Sequence, residues 1–177
     1  MTDSVPGGVN HDVDDDVSDD VAGDGTAGGQ DPAVTDGSYL VRNVGSGLLL
    51  QVAGASRRSG ARIVLGADDG TDNQLWHLTA VHPGGALFHV ENAASGKRLD
   101  VTGASPDDGV PVQQWGANAF GAQEWLLEAH VDAPGTYTVT SFISGKPLTA
   151  PEPPEEGVRQ WEDTDSPSQW WRFERRA

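Results

Sequence analysis

A tripeptide, Gln-x-Trp, recurs three times along this chain at nearly even spacing: Gln74-Leu75-Trp76, Gln123-Glu124-Trp125 and Gln169-Trp170-Trp171. The intervals are 49 and 46 residues, and a fixed internal period of this length constrains architecture before any single residue is interpreted. The neighbouring sequence repeats in register with it. Each unit opens on a short alternating strand, Tyr39-Leu40-Val41, Phe88-His89-Val90 and Tyr137-Thr138-Val139, followed by the turns Ser46-Gly47, Ser95-Gly96 and Ser144-Gly145. A second strand follows each turn, over Leu48–Val52, Arg98–Val101 and Pro147–Ala150. Gly60, Gly109 and Gly157 then mark a loop ahead of a third short strand and the Gln-x-Trp strand.

Four short strands cannot bury their own apolar face, so three such units must share one core around a pseudo-threefold axis. The expected fold is all-β, a β-trefoil with repeats at about 38–83, 84–132 and 133–177. Tryptophans at matched positions in every unit, Trp76, Trp125 and Trp171, are expected in that core. The glutamines two residues before them are expected to hydrogen-bond loop backbone, as buried amides must. With 23 glycines and 11 prolines in 177 residues, long helices are not expected.

Charge divides the chain differently. The formal net charge is −16, and residues 1–37 hold ten aspartates with no lysine or arginine, while residues 38–177 carry 17 acids against 11 bases, a net of −6. Repulsion among the carboxylates and the lack of aromatic residues point to a disordered acidic tail over 1–37. Neither part offers the basic surface that nucleic acid or an anionic membrane requires. No stretch approaches the roughly 18 apolar residues of a membrane span, and the first residues show no secretory signal, so the chain reads as cytoplasmic, with export by another route left open. Two motifs in the tail lack their context. Gly23-Asp24-Gly25-Thr26-Ala27-Gly28 spells a dinucleotide fingerprint without flanking strand and helix, and Asp12–Val17 lacks the turn glycine and closing glutamate of a calcium loop.

Catalysis finds little support. The chain has no cysteine, so thiolate metal sites and cysteine nucleophiles are excluded. His11, His77, His82, His89 and His130 form no metal-binding pair, and the acids Asp68-Asp69 and Asp107-Asp108 lie in glycine-rich turns. No cofactor is expected, and the chain is read as a non-enzyme.

At the three Gln-x-Trp motifs and their Ser-Gly turns, over about residues 38–177, the chain resembles the ricin B-type lectins, sugar binders of β-trefoil fold. The resemblance implies a shallow sugar site in each repeat, built from a second-strand aspartate, a third-strand glutamine and aromatic, and an Asn-Gln pair ahead of the final tryptophan. A carboxylate can accept hydrogen bonds from two neighbouring hydroxyls of one pyranose, an aromatic face covers its C–H patch, and amides complete the pairing. Carried onto this sequence, the middle repeat matches best, with Asp100, Gln113, Trp115 and Gln123. Ala122 stands in place of the asparagine, and Asn118 is the substitute within reach. The first repeat, with Gln51, Val64 and Gly66 at the acid, amide and platform positions, is expected to be silent although it keeps Asn73 and Gln74. The third keeps Trp161 and Gln169 but has Thr149 and Arg159, a second and weaker set of candidates. Arg159 there either serves an acidic sugar or pairs with Glu155, Glu156 or Glu162. The implied ligand is carbohydrate, a galactose-like or other hexose. The alternative is a β-trefoil whose sugar sites have decayed and whose loops bind a protein, and an exposed or a buried Trp115 separates the two.

Overall fold

A computed structural model of the protein describes residues 33–177. The acidic stretch and both of its motifs, within residues 1–32, lie outside the described residues. Twelve strands run through the described chain, four per repeat: β1 (Gly37–Asn43), β2 (Leu49–Val52), β3 (Ile63–Gly66) and β4 (Leu75–Ala80); β5 (Leu87–Asn92), β6 (Arg98–Val101), β7 (Val112–Trp115) and β8 (Trp125–Ala129); β9 (Tyr137–Ser141), β10 (Leu148–Thr149), β11 (Arg159–Gln160) and β12 (Trp170–Arg176).

The first and fourth strands of the repeats close into a ring. β1 pairs with β4, β4 with β5, β5 with β8, β8 with β9, β9 with β12, and β12 returns to β1, every pair antiparallel. The second and third strands form the hairpins β2–β3, β6–β7 and β10–β11. A six-stranded barrel carrying three hairpins is the β-trefoil that the repeats require.

Alternation explains how each strand serves this ring. Side chains of a strand point to opposite faces with period two, and Tyr39 and Val41, Phe88 and Val90, Tyr137 and Val139 all turn inward. The next inward position is polar. Asn43 and Asn92 sit there, and their Oδ1 atoms accept the backbone N–H groups of Ser46 and Ser95, which pins the turn into the second strand. Gly47, Gly96 and Gly145 complete these turns at φ of 72°, 68° and 68°, a region that glycine enters without steric penalty.

Trp76, Trp125 and Trp171 are each 0% exposed, and their indole Nε1 atoms donate to the carbonyls of Leu50, Leu99 and Leu148 at 2.9, 3.0 and 3.0 Å. Each core tryptophan therefore joins the fourth strand of its repeat to the second. The repeats are also tied to one another. Gln114 of β7, wholly buried, donates to the carbonyls of Ser56 and Arg58 in the first repeat, and Gln160 of β11 does the same to Ser105 and Asp107 in the second. The corresponding residue of β3 is Leu65, which packs into the core instead.

The first strand starts earlier than composition suggests. Gly37 lies within β1, Val34 packs against the core, the Tyr39 hydroxyl donates to the Thr35 carbonyl, and Asp36 accepts the Ala80 N–H at 2.8 Å. Thr35 and Asp36 are thus held by partners that the folded ring supplies.

Candidate functional site

The middle hairpin carries the best-developed site. Antiparallel register sets Asp100 opposite Gln113 and Arg98 opposite Trp115, which places all four side chains on the face turned away from Leu99 and Val101 in the core. Gln113 Nε2 donates to Asp100 Oδ1 at 2.9 Å. From behind, Gln123 Nε2 donates to Asp100 Oδ2 at 3.1 Å. Each carboxylate oxygen keeps a further lone pair, and Gln113 keeps its carbonyl and one N–H. Asp100 is only 6% exposed, so its orientation is set by these amides and by packing.

Asp100, Gln113, Trp115 and Asn118 line one open cavity of about 320 Å³, together with Val101, Gly103, Ala104, Phe120 and Ala122. Trp115 is 44% exposed, and one edge of its ring lies over Gly60 of the first repeat. Asn118 is fixed as a loop corner: its N–H donates to Gln123 Oε1, its Oδ1 accepts the Phe120 N–H, and its carbonyl accepts from Arg98. The Nδ2 group of Asn118 is a further donor on a residue that lines the cavity.

Gln123 does not line this cavity. It is 0% exposed and also donates to the Gly116 carbonyl at 2.9 Å, so it supports Asp100 and the β7–β8 loop rather than meeting a ligand directly. Gln74 and Gln169 do the same in their repeats, bonding the carbonyls of Ala67 and Glu162. Phe120, 71% exposed, is the lining residue that sequence reasoning missed; its one signal is a bulky apolar residue between two small ones in a polar loop.

The first repeat is filled by its own side chain. Gln51 accepts from Gln74 Nε2 at 2.7 Å and folds across Gly66, where a Cβ would lie 2.5 Å from Gln51 Oε1. A platform there would require the Gln51 amide to turn away. Asn73, at the position of Ala122, is buried and donates to the Val52 carbonyl.

In the third repeat the four candidates meet one another. Thr149 lies opposite Arg159, its hydroxyl donates to the Pro147 carbonyl and accepts from Gln169 Nε2 at 3.1 Å, and the Arg159 guanidinium stands 5.1 Å from the Trp161 ring centroid. Among the described residues Arg159 forms no ion pair with Glu155, Glu156 or Glu162. It covers the aromatic ring instead, and its buried Nε has no partner.

Electrostatics around the middle site are modest. Burial pushes the His89 imidazole below its ordinary range, and the neighbouring Arg98 adds to this, while Glu124 and Glu91 oppose it. Among the described residues no cluster of three His, Asp or Glu is placed to hold a metal, and no helix is long and apolar enough to cross a membrane.

Residues 20–115 match the family described as ricin-type beta-trefoil lectin domain-like, more than half of the chain. The chain belongs to this family. Its lectin fold is shared with a designed threefold-symmetric protein, ThreeFoil, at 32% identity and a TM-score of 0.70, over 78% of this chain and 98% of that one. An exo-β-1,3-galactanase from Clostridium thermocellum is 30% identical with a TM-score of 0.72, over 82% of this chain but 31% of the galactanase. A ricin B-like lectin from Macrolepiota procera, solved with lactose, is 17% identical over 82% of this chain and 99% of its own length, with a TM-score of 0.68, a likeness of fold. No curated protein matches the sequence. The ricin-type lectin fold makes carbohydrate binding the coarse function of this chain.

Proposed function

We propose that the chain is a non-catalytic lectin module whose middle repeat binds a neutral hexose of galactose type. The observation that carries this reading is the Asp100 carboxylate, nearly buried yet holding free lone pairs toward a cavity that it shares with the exposed ring of Trp115. A diol of one pyranose would donate to Asp100 while its C–H face rests on Trp115, and Gln113 and Asn118 would pair the remaining hydroxyls. The net charge of −16 favours a neutral ligand over an anionic one. Similarity to a protein named for β-1,3-galactan supports galactose as the first sugar to try, although the chain matches under a third of that protein.

Among the described residues Asp100 is the one acid lining the cavity, whereas glycoside hydrolysis uses two carboxylates across the scissile bond, which supports binding without turnover. The first and third repeats are proposed to be silent, one filled by Gln51 and the other capped by Arg159. An exposed Trp115 favours this reading over the protein-binding alternative.

A glycan array probed with the wild-type protein and with folded Asp100→Asn and Trp115→Ala variants tests it. A signal on galactose-terminated glycans that both substitutions abolish is expected, with a monosaccharide Kd on the order of millimolar. Binding that survives both substitutions, or none at any density, would reject the middle site.

A further inference from the structure

The rim of the middle cavity continues into an apolar ridge that a monosaccharide does not require. Phe120 lines the cavity and is 71% exposed; Phe142, 63% exposed, reaches across from the third repeat, so that a Cβ on Gly121 would lie 3.0 Å from its ring. The Phe142 N–H donates to the Glu124 carbonyl at 3.0 Å, which holds the β9–β10 turn against the segment that follows Phe120. Ile143, the next residue along the turn, is 42% exposed. Large apolar side chains exposed on neighbouring segments are a standing cost that a binding surface explains. None of them supports the core.

Resting on the proposed middle site, we infer that this ridge is a second subsite, which takes the next sugar of an oligosaccharide whose terminal residue occupies the Asp100–Trp115 cavity. Continuity with the cavity carries the assignment, because Phe120 belongs to both. The chemistry agrees. A pyranose presents a C–H face to an aromatic ring, and a phenyl ring has no donor or acceptor that would demand a particular hydroxyl pattern. The subsite would therefore recognise that a chain continues, with little regard for which hydroxyls it bears, while Asp100 reads the terminal sugar. The loop that presents Phe120 is held by Asn118 and Gln123, so little ordering is required on binding.

Titration calorimetry of the intact chain with methyl β-galactopyranoside, β-1,3-galactobiose and β-1,3-galactotriose tests this. The disaccharide is expected to bind about five- to tenfold more tightly than the methyl glycoside, with little added by the third sugar. Phe142→Ala, which lies outside the cavity, should erase most of that increment and leave methyl galactoside affinity within twofold; Phe120→Ala should erase the increment and also weaken the methyl glycoside, because Phe120 lines the cavity. Asp100→Asn should abolish all binding. Both phenylalanines are largely exposed, so folding is expected to survive, which an unchanged thermal midpoint would verify. Monosaccharide binding without any chain-length increment, or an increment untouched by Phe142→Ala, overturns the subsite alone. Phe120→Ala weakening all three ligands equally, with the increment surviving, overturns it too. Failure of the wild type to bind any of the three overturns the galactose reading and the subsite together. A wild-type dimer that Phe120→Ala converts to monomer, with glycan affinities unchanged, would make the ridge a protein contact instead.

Discussion

Gln123 holds the carboxylate of Asp100 from beneath, its Nε2 3.1 Å from Oδ2, while the same amide bonds the Gly116 carbonyl and the Asn118 N–H. One buried side chain thus orients the cavity-facing acid and fixes the loop that carries Asn118 and Phe120. Replacing Gln123 with leucine would orphan two loop groups and free the carboxylate to rotate. The variant is expected to lose roughly 2 kcal/mol or more of stability in urea unfolding. Its glycan binding should fall although every cavity-lining residue is intact; a variant that binds normally would show that Asp100 needs no such support.

The first repeat offers a test by reconstruction. Gly66→Ala alone should cost at most about 1 kcal/mol, since the new methyl meets only the far end of the flexible Gln51 side chain, which can turn aside at the expense of its bond from Gln74. Removing that amide, in Gln51→Ala, should relieve most of the penalty. The triple change Gln51→Asp, Val64→Gln and Gly66→Trp should then raise the binding stoichiometry from one sugar to two in calorimetry.

Trp76, Trp125 and Trp171 occupy equivalent positions with equivalent Nε1 bonds. Phenylalanine at any one of them leaves a leucine carbonyl unpaired and a void beside it. Each change is expected to lower the unfolding free energy by about 2–4 kcal/mol, and the three values should agree within about a kilocalorie. A single outlier in denaturant melts would show that one repeat carries more of the core than its fellows.

His89 supplies a pH dependence. Its folded-state pKa lies below the ordinary 6.5, chiefly through burial, so the unfolded chain binds the proton more readily. Stability is therefore fully present above about pH 6.5 and declines as the pH falls below it. Thermal midpoints measured from pH 8 to 5.5 should be flat and then drop. His89→Gln should flatten the drop; an unchanged profile would assign the effect to another group.

Much of the trefoil was legible because its signals are periodic: three Gln-x-Trp motifs, three Ser-Gly turns and inward aromatics at matched offsets leave one way to close the ring. Asp100, Gln113 and Trp115 were named through the resemblance to the ricin B-type lectins, and the two-residue alternation of paired strands accounts for their sharing a face. What escaped depends on depth and on loop shape. Gln123 looks like a ligand residue in the sequence, but adjacency along the chain does not reveal that the turn ahead of β8 buries it. Phe142 is distant in sequence from Gly121 and reaches it only because the third repeat's turn docks on the second. Arg159 was expected either to greet an acid sugar or to pair with a glutamate, and it stacks on Trp161 because the ring beside it offers a flat, partly dry surface.

The closing ladder of the barrel has a mechanical consequence. β1 and β12 pair antiparallel, with Ser38 opposite Arg176 and Asn43 opposite Trp171, so the described chain enters and leaves the ring at the same end of one ladder. Tension drawn between those two ends would load the hydrogen bonds one pair at a time, as a zipper is opened, instead of shearing six together. A module hung between a tether and a fixed glycan is pulled differently: load passing from the middle site to a single end spares that seam. The same ring should thus yield early when stretched by its ends and hold firm when it serves as an anchor.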